Sequence, residues 1–322
     1  MRHKIILDTD PGIDDAMAIA YAIAHPEIEL LALTTIFGNV RTHEATRNAL
    51  ALLDHWGSDA DVAEGEPAPV AMPGNEPSYL VHGRNGFGEI DIPASRRSKH
   101  ALDAVDYIIE ATRKFPGEIV LCAVGPVTNL ARLLERDPDV VTRIKAVVVM
   151  GGAVHRKGNV TPMAEANFWN DPHAADRVLG AQWPLVLAPL DCTMPVVFTP
   201  DYMQALARES PGLGEPLAAM AEFYARFYRS HMGIGGCVPH DVMALSWLTV
   251  PGAFRLQKGA LAVITNGPAI GQTLFQPGGT QSRARCFDGR PDHMVMVDTD
   301  PEMFLADYMM VMTRHAVAGT GN

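Results

Sequence analysis

Short apolar runs alternate with helical patterns through the first two thirds of the chain. Lys4–Leu7, Ile28–Thr35, Ile119–Val124, Ala146–Met150 and Leu185–Ala188 read as strands. Between them, Asp14–Ala24, Thr42–Trp56, Ala101–Lys114, Thr128–Glu135 and Asp171–Leu179 read as helices, the first stopped by Pro26. Unbroken aliphatic strands separated by helices predict a parallel sheet covered on both faces. After Pro189 the pattern changes. Helices are predicted over Pro200–Ala207, Pro216–Arg229, Asp241–Leu248 and Pro301–Thr313. Gly259–Thr265, Thr273–Gln276, Ala284–Phe287 and Met294–Val297 read as short strands between Gly and Pro turns. The expected fold class is therefore α/β: an open, mostly parallel sheet flanked by helices, with a small antiparallel C-terminal extension. No repeat or linker divides residues 1–322, so a single domain is expected. The Pro- and Gly-rich stretch Glu64–Pro93 reads as a long functional loop.

With 322 residues, 48% of them hydrophobic, the chain can bury a large core without staples. Its net charge of −11 predicts an acidic surface and argues against nucleic-acid or anionic-membrane partners. No apolar run reaches the ~18 residues of a membrane span, and the start Met1–Asp8 lacks a secretory apolar stretch. The four cysteines, Cys122, Cys192, Cys237 and Cys286, lie far apart with no metal spacing. They are expected to be buried, reduced thiols in a cytoplasmic protein. The basic run Arg96–His100 reads as a solvated loop.

The chemistry concentrates in Asp8-Thr9-Asp10-Pro11-Gly12-Ile13-Asp14-Asp15, four carboxylates in eight residues where the first strand meets the first helix. In an open parallel sheet, strand carboxyl ends face the ligand crevice. Helix capping accounts for one or two aspartates but not for four, because close carboxylates repel unless a cation or shared proton intervenes. A hard divalent cation, Ca²⁺ or Mg²⁺, would meet these oxygens. A phosphotransfer aspartate is the other chemical reading, but Pro11-Gly12 after Asp10 departs from that pattern. Further oxygen-rich spots are Gly125–Asn129, Gly158–Asn167 and Pro239-His240-Asp241, where an imidazole adjoins a carboxylate at a helix start.

Together these segments resemble the inosine–uridine preferring nucleoside hydrolase family. Asp8–Asp15 matches its DTDPGxDD signature. Thr34-Thr35, Gly38-Asn39-Val40, His82-Gly83-Arg84-Asn85-Gly86, Gly125–Leu130, Met150-Gly151-Gly152, Gly158–Asn167 and Pro239-His240-Asp241 follow in family order. The resemblance implies a Rossmann-like α/β sheet and a Ca²⁺-dependent enzyme that cuts the N-glycosidic bond of ribonucleosides. It implies Ca²⁺ ligands at Asp10, Asp15, Asp241 and the backbone carbonyl of Val124. Asp10 would be the general base and His240 the acid for the leaving base. Asp14 would take the ribose 2′-hydroxyl, and Asn39 would lie near the sugar. Asn159, Glu165 and Asn167 would bind the 5′- and 3′-hydroxyl side, with Met150 below the ring. His82 would line the base side. Tyr224 and Tyr228, four apart on a predicted helix, share one face, and Tyr228 is the candidate wall for the base. Relatives are usually homodimers or homotetramers.

Departures from the family pattern bear on base preference rather than bond type. Bulk is gained at Phe37 and Phe87 and lost at Ala166. His240, and a His82 loop without Trp, argue against the purine-specific subgroup, so a nonspecific or pyrimidine-leaning enzyme is expected. Two alternatives are hydrolysis of another N-riboside and catalytically silent binding of a ribonucleoside.

Overall fold

A computed structural model of the protein describes residues 2–279 and 284–319. Its first half runs β1 (His3–Thr9), α1 (Ile13–Ala24), β2 (Ile28–Thr35), α2 (Thr42–His55), β3 (Asp61–Glu64), α3 (Tyr79–His82), α4 (Ala104–Lys114), β4 (Ile119–Ala123), α5 (Thr128–Arg136) and β5 (Ala146–Met150). Then follow α6 (Ala166–Asn170), α7 (Pro172–Gly180), β6 (Leu185–Ala188), α8 (Leu190–Thr193), α9 (Pro200–Glu209), α10 (Pro211–Met232) and α11 (Val242–Thr249). The chain closes with β7 (Phe254–Val263), β8 (Thr273–Pro277), β9 (Asp292–Thr299) and α12 (Pro301–Gly319).

The strands form one sheet in the order β3-β2-β1-β4-β5-β6-β9-β7-β8. From β3 to β9 every pairing is parallel, and β7 runs antiparallel to both β9 and β8. The chain builds β2 and β3 to one side of β1, then crosses to place β4 on the other. Strand order thus reverses at β1/β4, the place where an open α/β sheet forms its ligand crevice. Register brings Asp8 beside Thr34 on one flank and Ala123 on the other, so the turns after β1, β2 and β4 emerge together.

Burial explains the central strands. Ile5, Ile6, Leu7, Val120, Leu121, Val147, Val148 and Val149 are all fully buried, as both-face coverage demands. Helix α1 is unusual in having almost no exposed side; its alanines let the sheet, α10, α11 and α12 approach it from all around. Two expectations are corrected. Ala284–Phe287 is not a strand but carries a 3₁₀ turn over Arg285–Phe287. The antiparallel C-terminal extension is as expected, β7 running antiparallel to β8 and β9, and β9 joins it to the parallel sheet through β6. Cys122, Cys192 and Cys237 are buried, whereas Cys286 is exposed, against expectation. The basic run is a loop: Arg97 donates to the carbonyls of Ser58 and Ala60, and Lys99 pairs with Glu64. Among the described residues no helix is long and apolar enough to cross a membrane.

Candidate active site

The strand-to-helix turn at Pro11-Gly12 folds the aspartates back on one another. Asp15 reaches from the first turn of α1 to the Gly12 N–H (2.9 Å) and the Asp10 N–H (3.2 Å), and accepts from Thr9 Oγ1. The Gly12 N–H is a free donor of the helix start and the Asp10 N–H belongs to the turn before it, so the backbone itself fixes Asp15. Asn39, from the turn after β2, donates its Nδ2 to Asp15 (2.9 Å) and its backbone N–H to Asp10 Oδ2 (2.6 Å). Asp10 is enclosed by backbone: a Cβ on Gly125 would lie 2.5 Å from its Oδ1, and Gly38 presses on its Oδ2. Asp241 arrives from the opposite half of the chain, immediately before α11.

Carboxylate oxygens of Asp14, Asp15 and Asp241 lie within 4.8 Å of one another, with Asp10 alongside. The resemblance instead groups Asp10, Asp15 and Asp241 and leaves Asp14 to the ribose; the protein brings all four together. All are buried. Burial pushes Asp10, Asp14 and Asp241 well above the usual carboxylate range, and their mutual repulsion adds to it. Asp15 rises less, because Thr9 and the two backbone donors favour its charged form. Oδ1 of Asp10 and Oδ1 of Asp14 are buried without a hydrogen-bond partner. Among the described residues no Lys or Arg pairs with any of the four. Orphaned oxygens, like charges and an all-oxygen donor set are what a hard divalent cation would satisfy.

Above these carboxylates opens a cleft. On one side stand His82 and Tyr224, rings 5.2 Å apart. The Ile13 N–H donates to His82 Nδ1 (3.1 Å), which puts the ring proton on Nε2. Burial and the neighbouring His240 pull His82 down to about 3, so it is neutral near pH 7. A chain of polar contacts crosses the cleft wall: Asp14 Oδ2 to Tyr224 (3.2 Å), Tyr224 to Tyr228 (3.4 Å), Tyr228 to His240 Nε2 (2.6 Å), and His240 Nδ1 to Thr193 (2.7 Å). Burial also takes His240 down to about 3, and it lifts both tyrosines well above their ordinary value. Both imidazoles are therefore neutral, and both phenols keep their protons.

The other wall is a scaffold of amides. Asn167 donates Nδ2 to the carbonyls of Val124 (2.8 Å) and Met150 (3.1 Å), which ties the ends of β4 and β5 together. Its Oδ1 is the atom left for a ligand. Glu165 caps α6, accepting from the backbone of Asn167, Phe168 and Gly152, and burial lifts it to about 7. Asn159 Oδ1 accepts from the Ala166 N–H (3.0 Å).

Asp14, Asn39, His82, Val124, Met150, Asn159, Glu165, Asn167, Tyr228, His240 and Asp241 all line this cleft, while Asp10 and Asp15 lie in its floor. Reading residue by residue missed Ser78, Val81, Phe227 and Met232, which also line it. The signal for the last two was the spacing Tyr224, Phe227, Tyr228, Met232, one face of α10. Phe37 and Phe87 are buried away from the cleft wall, so of the three departures only Ala166 faces a ligand.

A model of the family described as inosine-uridine preferring nucleoside hydrolase matches residues 5–306. Uridine nucleosidase 1 of Arabidopsis thaliana is 37% identical over 277 residues, covering 86% of this chain and 82% of its own length. Among solved structures, a plant nucleoside hydrolase is similar with a TM-score of 0.92 at 35% identity, over 99% of this chain and 100% of its own. A purine-preferring ribonucleoside hydrolase from Gardnerella vaginalis is similar with a TM-score of 0.90 at 32% identity, over 97% and 99% of the two chains.

Proposed function

The chain belongs to the inosine-uridine preferring nucleoside hydrolase family and is a hydrolase of ribonucleosides, and from that premise we propose that it is Ca²⁺-dependent and of broad base range, leaning toward pyrimidines. The observation that carries the cation is the buried group Asp10, Asp14, Asp15 and Asp241, without a paired Lys or Arg among the described residues. Ca²⁺ suits it better than Mg²⁺, because Ca²⁺ accepts ~6–8 oxygens in adaptable geometry. Asp10, Asp15, Asp241 and the Val124 carbonyl would hold the ion, with Asp14 turned to the ribose 2′-hydroxyl. When bound, the ion supplies Lewis acidity toward water and a positive charge for vicinal hydroxyls.

The residues divide the reaction between two walls. Water attacks C1′ as the C–N bond breaks, and Asp10 takes its proton as general base. Positive charge builds on the ribosyl group, and the oxygens of Asp14 and Asn167 stabilise it where it develops. Asn39, Asn159 and Glu165 orient the sugar hydroxyls and Met150 packs beneath the ring. The departing base takes the electron pair of the broken bond and needs a proton. His240, joined to Tyr228, rests neutral, so it passes its N–H proton to the base and is reprotonated from solvent after the base leaves. Hydroxyl and imidazole donors on this wall, with no Trp in the cleft lining, support a broad base range. Relatives of comparable identity are named for uridine and for purines, which fits breadth. A cytoplasmic homodimer or homotetramer, one domain over residues 1–322, completes the proposal on family analogy.

The test is release of free ribose from uridine, cytidine, inosine and adenosine, with Ca²⁺ and then with chelator. Chelator-sensitive release from all four, with uridine and cytidine ahead, is expected. Undiminished release after stripping overturns the cation. Strong preference for inosine and adenosine overturns the pyrimidine lean. Calorimetric binding of nucleosides with no release points to a binding protein or an unusual riboside.

A further inference from the structure

Asp8 is the one carboxylate of the Asp8–Asp15 cluster with no part in the scheme above. It is fully buried, and its Oδ2 accepts from Thr34 Oγ1 (2.6 Å) and from Asn129 Nδ2 (2.7 Å). Asn129, also fully buried, donates the same Nδ2 to the Thr35 carbonyl (3.1 Å) and accepts the Glu66 N–H on Oδ1 (2.9 Å). Gly65 packs so closely on the Asn129 amide that a Cβ there would collide with it. One side-chain pair thus joins the ends of β1, β2 and β3 to the start of α5.

Two turns leave this node on their way to the acidic floor. The turn after β2 carries Asn39 to Asp10 and Asp15. The turn after β4 carries the Val124 carbonyl and Gly125, whose Cα faces Asp10 Oδ1. The separation of the two turns sets the distances among Asp10, Asn39 and Val124. Asp8 holds the near side of that separation through Thr34, and Asn129 holds the far side. We infer that Asp8 and Asn129 are a positioning pair that sets the geometry of the cation floor from beneath it, an inference that rests on the cation reading above. Neither lines the cleft. Outer partners of this kind tune how well ligands are aimed.

Removal of the acceptor, and its restoration as an amide oxygen, tests the pair in the full chain. Asp8→Ala removes the oxygen that accepts from Thr34 and Asn129, Asn129→Asp removes the amide that donates to Asp8 and to the Thr35 carbonyl, and Asp8→Asn keeps an oxygen that accepts both bonds. Ca²⁺ affinity is read by calorimetry on chelator-stripped protein, with kcat and KM on uridine and the unfolding temperature beside it. Asp8→Ala and Asn129→Asp are each expected to bind Ca²⁺ about 10–100-fold more weakly. Asp8→Asn is expected to stay within about threefold of wild type, because the acceptor survives. Asp8→Ala and Asn129→Asp with lowered unfolding temperature but wild-type Ca²⁺ affinity would overturn the inference, since that is a merely structural role. An Asp8→Asn variant no better than Asp8→Ala also overturns it. Should Asp8→Ala not fold, Asn129→Asp against Asp8→Asn carries the same comparison. Wild-type protein that binds no Ca²⁺ overturns the cation reading itself, a result distinct from wild-type binding with unaffected variants.

Discussion

Tyr228 and His240, twelve residues apart and on different elements, share a 2.6 Å contact between the phenol oxygen and Nε2. Thr193 fixes the other ring nitrogen. A neutral imidazole held at both nitrogens, beside a phenol that keeps its proton, is a proton store on the base wall. His240→Ala is expected to lower kcat/KM for inosine and uridine by about 10²–10⁴-fold. It should spare p-nitrophenyl riboside, whose phenolate leaves without a proton. Tyr228→Phe should follow the same pattern with a smaller loss. Equal losses on both substrate types would remove the acid role.

Gly125 and Gly38 make a second prediction, because their missing side chains leave Asp10 its place. A Cβ on Gly125 would lie 2.5 Å from Asp10 Oδ1, closer than a carbon and a carboxylate oxygen can sit. Gly125→Ala must displace the carboxylate or the turn that carries the Val124 carbonyl. An activity loss of at least about 10-fold with weakened Ca²⁺ binding is expected, since small misplacements at a reacting centre are expensive. Gly212→Ala, where nothing lies within 4 Å of the added carbon, is the control and should leave kcat/KM unchanged. Steady-state kinetics on both variants decide the matter.

Much of this architecture is legible in the amino-acid sequence. β2, β5 and β6 begin and end where the sequence predicts, and in β5 and β6 the reason is that strands buried on both faces must be continuously apolar. The aspartate run was legible because capping alone cannot account for so many like charges. What escaped has physical reasons. β3 is Asp-Val-Ala-Glu, too short and too acidic at its ends to stand out, and it exists because β2 offers it an edge. Ala284–Phe287 has strand-like residues but no neighbour to pair with among the described strands. Ser78 and Val81 reach the cleft only through the docking of α3 against α10, which local patterning does not encode.

Glu165 predicts a pH dependence of stability. Burial raises its carboxyl to about 7 despite three backbone donors. In the unfolded chain the same group ionises near 4.5. Between those values the folded state holds a proton that the unfolded state has released, so stability falls as pH rises through the window and levels off above it. This group alone contributes a fall on the order of 3 kcal/mol, from the size of the shift. Chelator-stripped wild type and Glu165→Gln, unfolded in urea at about pH 5 and about pH 8, should differ in slope, the variant losing less. Parallel slopes would place the titration elsewhere.

The thiols predict a labelling result. Cys122, Cys192 and Cys237 are buried, and burial lifts all three above the ordinary thiol value, so none offers a thiolate. Cys286 is exposed. A native protein treated with a chromogenic disulfide should react at Cys286 alone, and Cys286→Ser should abolish fast labelling without loss of activity. Fast reaction of more than one thiol per chain would contradict this burial pattern.

β9 lies between β6 and β7, parallel to one and antiparallel to the other, although it is the last strand of the chain. During synthesis the strands that carry Asp10, Asn39, Val124 and Met150 emerge early, and β6 then waits for its neighbour. At ~5–20 residues per second, the stretch from Ala188 to Thr299 takes roughly 5–20 s to appear. Throughout that interval Val186 and Leu187 present an unpaired apolar edge, the kind of template on which nascent chains stick to one another. The half-made sheet therefore carries an open edge until its final strand arrives and closes it.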